Sequence, residues 1–401
     1  MTPNSVSESI RELYEAYPYP TRIPGGSADP FLEYLRSFTN KPHKRKPTFF
    51  DAGCGTGLNV LGGAAIYPHF DVYGCDLNRV ALKQLESEAK NLGFSNLFLR
   101  ELDLLDLDCD FGPPEGFDII FSTGVIHHTP DPVGILKSLA KRLAPQGILR
   151  LMVYGELGRS DLYRFARVAR KLCGGDSHSW SERVQKGREL MSELKTSGSA
   201  RDNFLPPVFR GPWEDAQRVD EVEFADRYLN PHDQPFSIST LADAIARANL
   251  KFHSWFEPRE WDLKRLLPKF AESPLAPSDP WQQFALIEEL FDRPKLDLYL
   301  VGPEFEARVP KVEPQTLIGL NPQLFLSCVK ARGVSFHRVA QLRLYEETVL
   351  SREEGTLLEA IGTRFLPVQT LVQEMPNPSL DHWLGIVRKL VSEDMLFCPH
   401  A

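Results

Sequence analysis

The twelve residues FFDAGCGTGLNV, 49–60, constrain the fold more than any other part of the chain. Two aromatics lead into Asp51, then Gly53, Gly55 and Gly57 alternate with small residues, and apolar residues resume at Leu58. The order predicts a buried strand, a tight turn and the start of a helix. Glycine permits left-handed backbone and lets a ligand lie directly on the main chain. The helix that follows aims free N–H groups and the positive end of its dipole at that ligand. Such turns stand at the carboxyl end of a parallel strand, where open α/β sheets bind their ligands.

The surrounding sequence supports a sheet of that kind. Strand patterns at FDVYGCDL (70–77), NLFLRELDL (96–104), FDIIFSTGVI (117–126) and GILRLMVY (147–154) alternate with helix patterns. In NRVALKQLESEAKNLG (78–93), Leu82, Leu85, Ala89 and Leu92 share one helix face and Gly93 suits the C-cap. In DPVGILKSLAKRLAP (131–145), Asp131 is the N-cap and Pro132 the first helical residue. Strands joined by helices of this length pair in parallel through right-handed crossovers. The alternation breaks at 155–235 and returns with the helix SISTLADAIARANL (237–250) and the strands KFHSWFEP (251–258) and KLDLYLVGP (295–303). This predicts an α/β fold with a Rossmann-like, seven-stranded, mostly parallel sheet and helices on both faces. The expected domains are an N-terminal helix and lid segment at 1–47, a core at 48–305 with helical insertions at 155–235 and 259–293, and a small C-terminal domain at 310–401. In that last part a capping box, Ser351 with Glu354, opens one helix, and FLPVQTLVQEM (365–375) and SLDHWLGIVRKLVSEDML (379–396) read as two more before a short strand.

The acid before the glycines selects among ligands. A dinucleotide fingerprint ends GxGxxG, but Leu58 holds the last glycine position here. Asp51 would repel a pyrophosphate and would suit a ligand bearing an ammonium group. S-adenosylmethionine (SAM) carries an ammonium and a carboxylate at its methionine end and a sulfonium near its middle. Asp76, at the tip of the second strand, is placed to accept from both ribose hydroxyls, which fits any adenosine cofactor. Asp103, ending the third strand, is placed to accept from the adenine amino group. Cys54, Leu77, Leu104 and Ser122 flank these positions and complete the expected cofactor set.

The ordered motifs DAGCGTG, GCD, LDLLD, FDIIFSTGVIHHTPDP and LAPQGILRLMVY resemble those of class I SAM-dependent methyltransferases, strongly over 48–154. Within that family the chain is similar to bacterial members with a PYP segment before the core, here Tyr17-Pro18-Tyr19-Pro20, and a VYGxxGR segment after the fifth strand, here Val153 to Arg159. The C-terminal region is similar to winged-helix-like domains of some bacterial protein methyltransferases. The resemblance implies SAM as cofactor and S-adenosylhomocysteine as product, with Tyr17 and Tyr19 in a lid over the methionine end. The competing reading of these tyrosines is a hydrophobic strap on the core.

The acceptor side is less determined by sequence. His127 and His128 follow the fourth strand, where the methyl group should emerge, and serve either as proton acceptors or as pocket wall. Tyr154 and Arg159 flank a turn, and Arg159 would either pair with an anionic group of the substrate or brace the inserted helix. Arg164, Arg167 and Lys171 form a basic face that is solvated by default. In DRYLNPHDQPF (226–236), Asp226, Asn230 and His232 either line the acceptor site, with His232 as base, or form a satisfied turn. The expected catalytic set is His232, Tyr154 and His127, and the expected substrate contacts are Arg159, Tyr154 and Asn230.

Charge and composition narrow the classes. A net charge of −8 argues against a nucleic-acid partner. The six cysteines form no CxxC pair or metal-ligand spacing, so reduced, structural thiols in a cytoplasmic protein are expected and no metal. There is no apolar leader pattern and no run long enough to span a bilayer. A methyltransferase acting on a nucleophilic nitrogen or oxygen of a protein, peptide or small metabolite is the leading reading. A non-catalytic SAM- or nucleotide-binding regulator and an NAD(P)-dependent oxidoreductase are the alternatives.

Overall fold

The computed structural model describes residues 3–21, 26–107, 110–173, 178–196, 219–331, 334–341 and 347–400. The loops expected at TSGSARDN (196–203) and FLPPVFRGPW (204–213) fall, apart from Thr196, outside these residues. Contacts divide the chain into two units, Met1–Pro30 with His43–Phe305 and Phe31–Pro42 with Glu306–Ala401.

The first unit is built on seven strands: β1 Thr48–Ala52, β2 Asp71–Asp76, β3 Leu97–Glu101, β4 Phe117–Thr123, β5 Leu143–Tyr154, β6 Lys251–Trp255 and β7 Lys295–Val301. Their order is β3-β2-β1-β4-β5-β7-β6. The first five pair in parallel, and β7 runs antiparallel to both β5 and β6. β1 is buried along its whole length, Thr48 and Asp51 included, as befits a central strand covered on both faces. The order reverses between β1 and β4, so the glycine turn opens beside the switch point.

Local signals set the helix ends. Asp131 Oδ1 accepts from the Gly134 N–H at 2.8 Å and Pro132 begins the helix Pro132–Arg142. Gly93 takes a φ of +73° just after the helix Arg79–Asn91. Of the stripe read from the sequence on that helix, Leu82, Leu85 and Ala89 are buried, while Leu92, at its C-cap, is exposed; Pro132–Arg142 buries Ile135, Leu136 and Leu139. Arg150 of β5 forms a two-toothed pair with Asp297 of β7, at 3.0 and 2.8 Å, which fixes this antiparallel register from within.

The segment after β5 contributes the helices Ser160–Cys173 and Trp180–Thr196 and a short turn, Glu221–Phe224, that continues as a wide helical turn over Ala225–Leu229. Phe165, Ala169, Val184, Phe224, Tyr228 and Leu229 form a second apolar core there, and Leu13 of the N-terminal helix Pro3–Ala16 is buried within it. Among the described residues no helix is long and apolar enough to cross a membrane.

In the second unit the helices Arg352–Ile361, Val368–Gln373 and Leu380–Ser392 precede a short strand, Leu396–Phe397, and the Ser351–Glu354 capping box is formed. FLPVQTLVQEM is not helical from its start: Leu366–Pro367 pairs as a strand with Leu317–Leu320. The reason is local, because proline disfavours helical backbone in the residue before it. Residues 324–349, for which the sequence reading named no element, hold an antiparallel sheet of Leu324–Ala331, Val334–Gln341 and Glu347–Val349. Phe31–Pro42 belongs to this unit, where the Tyr34 hydroxyl donates to Asp394 at 3.1 Å and its ring meets Phe397 edge-on.

Candidate active site

The glycine turn is held from below by backbone and from the side by one carboxylate. The Gly53 and Cys54 N–H groups both donate to the Cys75 carbonyl at 2.9 Å, which ties the turn to the end of β2. Asp76 accepts from the Gly55 N–H at 2.7 Å with one oxygen and from the Asn78 N–H at 2.8 Å with the other. Burial raises the Asp76 pKa, and these backbone donors oppose the rise. Gly57 caps the helix Leu58–Ile66 with a φ of +88°. Asp51 does not cap that helix. Its buried carboxyl accepts from the Asn59 side chain at 3.3 Å, and burial pushes it up to about 7, with Asn59 opposing and the neighbouring Asp76 adding.

Asp103 accepts from the Leu105 N–H at 2.9 Å and so caps the short turn Leu104–Asp106, in which Leu104 is buried. Leu77 lies between Asp76 and Asn78 at the tip of β2. Ser122 is fully buried in β4, and its hydroxyl has no hydrogen-bond partner among the described residues. Asp51, the glycine turn and Asp76 thus stand together, with Asp103 after the neighbouring β3.

The N-terminal segment meets this turn. The Tyr19 carbonyl accepts from the Thr56 N–H at 3.3 Å and the Pro20 carbonyl from the Thr56 hydroxyl at 2.9 Å. A Cβ on Gly55, whose φ is +51°, would lie 2.4 Å from the Tyr19 oxygen. The absence of a side chain at Gly55 is therefore what lets the segment approach. Tyr17 points elsewhere, its hydroxyl donating to Glu221 at 3.0 Å.

Beyond Tyr19 lies a buried cluster of polar and aromatic side chains, the candidate acceptor chamber. The Tyr14 hydroxyl donates to buried Asp226 at 2.8 Å, and the Asn230 side chain donates to the same hydroxyl at 3.3 Å. Burial is the main cause of the raised Tyr14 and Tyr19 pKa values, and Asp226 and Tyr154 add to both. Tyr154, ending β5, is pushed up to about 12, first by burial and then by Asp226, with Arg159 opposing. The Arg159 guanidinium stacks 3.5 Å above the Tyr154 ring, and the His127 ring centre lies 4.3 Å from that of Tyr154. His127 is fully buried with neither ring nitrogen partnered among the described residues; burial, then His128 and Arg159, hold its pKa well below the ordinary range.

His232 stands at the rim. Its ring lies beside the exposed Gln234 side chain, its N–H donates to Asn230 Oδ1 at 3.1 Å, and burial lowers its pKa. The next residue, Asp233, turns inward with a side chain only 4% exposed. Asp226 was named in the sequence among residues able to line the acceptor site, whereas Asp233, Tyr14 and Tyr163 were missed. Asp233 sat beside His232, but nothing local marked which of the two side chains would face in. Arg164 and Arg167 remain on the exposed side of their helix.

Residues 43–188 match the methyltransferase domain family. A Synechococcus protein of uncharacterized function is 27% identical over the whole of this chain and 95% of its own length. A probable tRNA methyltransferase 9B of mouse is 23% identical, covering 84% of this chain and 73% of its own. A tRNA U34 carboxymethyltransferase of Klebsiella pneumoniae is 35% identical over 26% of this chain and 30% of its own. Among solved structures, that of PKMT2 from Rickettsia typhi in complex with AdoHcy superposes with a TM-score of 0.70 at 17% identity, covering 96% of this chain and 78% of that one. Residues 43–188 thus match a methyltransferase domain, and the chain shares the Rossmann-like fold of that structure.

Proposed function

We propose that this protein, a SAM-dependent methyltransferase by its domain at 43–188, moves the methyl group to a nucleophilic nitrogen or oxygen of an acceptor held in the chamber of Tyr14, Tyr19, Tyr154, Arg159, Asp226 and Asp233. The acceptor is a protein or peptide side chain or a small metabolite. The observation that carries this reading is the junction at Tyr19: its carbonyl touches the glycine turn while its hydroxyl end is felt by Tyr154 and Asp226.

In this reading Asp51 would hold the methionine ammonium of SAM, Asp76 would accept from its ribose hydroxyls, and Asp103 and Leu104 would border its adenine. Gly53, Cys54, Gly55 and Gly57 supply the main-chain surface, with Leu77 and Ser122 at its edges. Tyr17 and Tyr19 belong to the strap that closes this side. The sulfonium already activates the methyl group, so the chain's task is to hold nucleophile, methyl carbon and sulfur in line. Tyr154 and His127 form the wall nearest the emerging methyl, and Arg159 and Asn230 orient the acceptor. A base is required only where the acceptor loses a proton, and His232 is the expected one.

The relatives' names divide between tRNA and other acceptors, and the stretch shared with the carboxymethyltransferase covers a quarter of this chain. The acceptor is therefore set by the segment after β5, not by the cofactor fold. Calorimetry with SAM, S-adenosylhomocysteine and NAD tests the cofactor assignment: the first two should bind and NAD should not. Metabolite and peptide profiling for a gain of one methyl group on adding enzyme and SAM then identifies the acceptor. NAD binding without SAM binding would overturn the reading.

A further inference from the structure

His127 and His128 lie in the short turn after β4, and Asp233 faces them from the loop before the helix Ile238–Arg247. One ligand atom from each lies within 4.8 Å of the other two. All three side chains are shut off from solvent, His127 fully and the other two at 4% exposure. Neither nitrogen of His127 nor the Asp233 Oδ1 has a hydrogen-bond partner among the described residues. Buried polar atoms rarely stay unpartnered, so such a group of them marks a place for a ligand.

His128 shows which kind. Its Nδ1 lies 3.2 Å from the His232 carbonyl. A carbonyl only accepts, so Nδ1 is the donor in this contact, and the same nitrogen lies 3.9 Å from Asp233 Oδ1. A metal-ligating imidazole gives its second N–H to a carbonyl in this way, so the ion is bound through Nε2 once the His128 ring turns that atom toward Asp233.

We propose that His127, His128 and Asp233 form a binding site for a divalent first-row transition ion of the zinc class. Two imidazoles and one carboxylate suit such an ion and not calcium or magnesium, which take oxygen ligands. Three protein ligands leave a coordination position open, as in catalytic zinc sites. Bonds of about 2.0–2.1 Å require ligand atoms roughly 3.3 Å apart, so the ion draws the three inward. Both carriers are irregular segments able to make that adjustment. Arg159 and Arg170 oppose the ion's charge, while Asp226 and Asp233 favour it. The open position is directed to the acceptor, a step that rests on the acceptor chamber proposed above.

The test uses the full-length, untagged protein stripped with a chelator, then dialysed against zinc sulfate and analysed for metal. One equivalent of zinc should be retained, with affinity at least tenfold lower in Asp233→Asn and in His128→Ala. Cobalt(II) should give visible ligand-field bands without a thiolate charge-transfer band. Should His128→Ala fail to fold, the near-isosteric Asp233→Asn carries the test through zinc-dependent thermal stabilisation, present in the wild type and lost in the variant. No retained zinc, unchanged affinity in folded variants, or a thiolate band would each overturn the proposal. SAM calorimetry on the same samples separates the two readings: SAM binding without zinc binding removes only the metal site, and zinc binding without SAM binding removes only the cofactor assignment.

Discussion

The proposed cofactor side of this site satisfies its polar groups more fully than the proposed acceptor side. On the cofactor side the turn is bonded internally: Gly53 and Cys54 to Cys75, Gly55 and Asn78 to Asp76, Leu105 to Asp103. Ser122 is the exception. On the proposed acceptor side Tyr14, Asp226 and Asn230 bond to one another, but both His127 nitrogens, the Asp233 Oδ1 and the Arg159 Nε have no hydrogen-bond partner among the described residues. A surface that receives an invariant cofactor can be preorganised from adjacent residues. A pocket that must take up an acceptor keeps unmet hydrogen bonds, whose burial costs stability until something fills them.

The largest effect should come from breaking the seam between the two sides. Gly55→Val places a branched side chain at a φ of +51° and drives its Cβ to 2.4 Å from the Tyr19 carbonyl. The backbone strain and the displaced strap should together cost about 3 kcal/mol, a loss of SAM affinity of roughly 100-fold or more by calorimetry. Wild-type affinity would show that the strap and the turn are independent.

Asp76→Ala comes next. Charge-assisted bonds to ribose hydroxyls are worth roughly 1.5–3 kcal/mol, so SAM affinity should fall by about one to two decades. Asp76 also organises Gly55 and Asn78, so Asp76→Asn, which keeps an acceptor oxygen, should lose less. Equal losses in both variants would assign the whole effect to the charge.

Asp51→Asn should lower SAM affinity by about tenfold and carry a pH signature. The Asp51 carboxyl is raised to about 7 in the folded protein, against roughly 3.9 in an unfolded chain. The folded state therefore holds the proton more tightly, and stability is lost as pH rises from about 4 to 7. The variant should match wild-type stability near pH 4 and exceed it, by a few kcal/mol at most, above pH 7. Wild-type SAM binding should strengthen from pH 6 to 7.5 with proton release, because the ammonium selects the ionised carboxylate. A pH-independent affinity would separate Asp51 from the ammonium.

What the sequence disclosed follows the same division. The glycine turn, the strands that end at Asp51 and Asp76 and their parallel pairing were legible because each depends on a few neighbouring residues and on the period of apolar side chains, whereas the order of the strands was not read. Asp131, Ser351 and Gly93 were legible as helix-end signals for the same reason. The chamber joins positions 14, 127, 154, 159, 226 and 233, and no local rule distinguishes His232 at the rim from Asp233 turned inward. Phe31–Pro42 likewise read as part of the N-terminal segment, yet its contacts are with residues near the other end of the chain, a pairing that no periodicity encodes.

The smallest effect on SAM binding is the sharpest check on the division. In metal-free protein, Asp233→Asn and His232→Gln should each leave SAM affinity within about twofold, because neither touches the groups that hold the turn. They should differ in stability. Burial raises the Asp233 pKa, with His128 and Arg159 opposing, so its ionised form is unfavourable in the fold and stability falls as pH rises past the ordinary carboxylate range. Asp233→Asn should therefore melt no lower than the wild type at pH 7 and above, with the difference vanishing near pH 4. His232→Gln, at the half-buried rim, should melt within a few degrees of wild type at either pH. With an acceptor in hand, the residue that takes its proton should show a turnover loss of about 10²–10⁴ when replaced, and the other a smaller one. A tenfold fall in SAM affinity for Asp233→Asn would mean that the two sides are one coupled site, because an uncoupled acceptor residue leaves cofactor affinity unchanged.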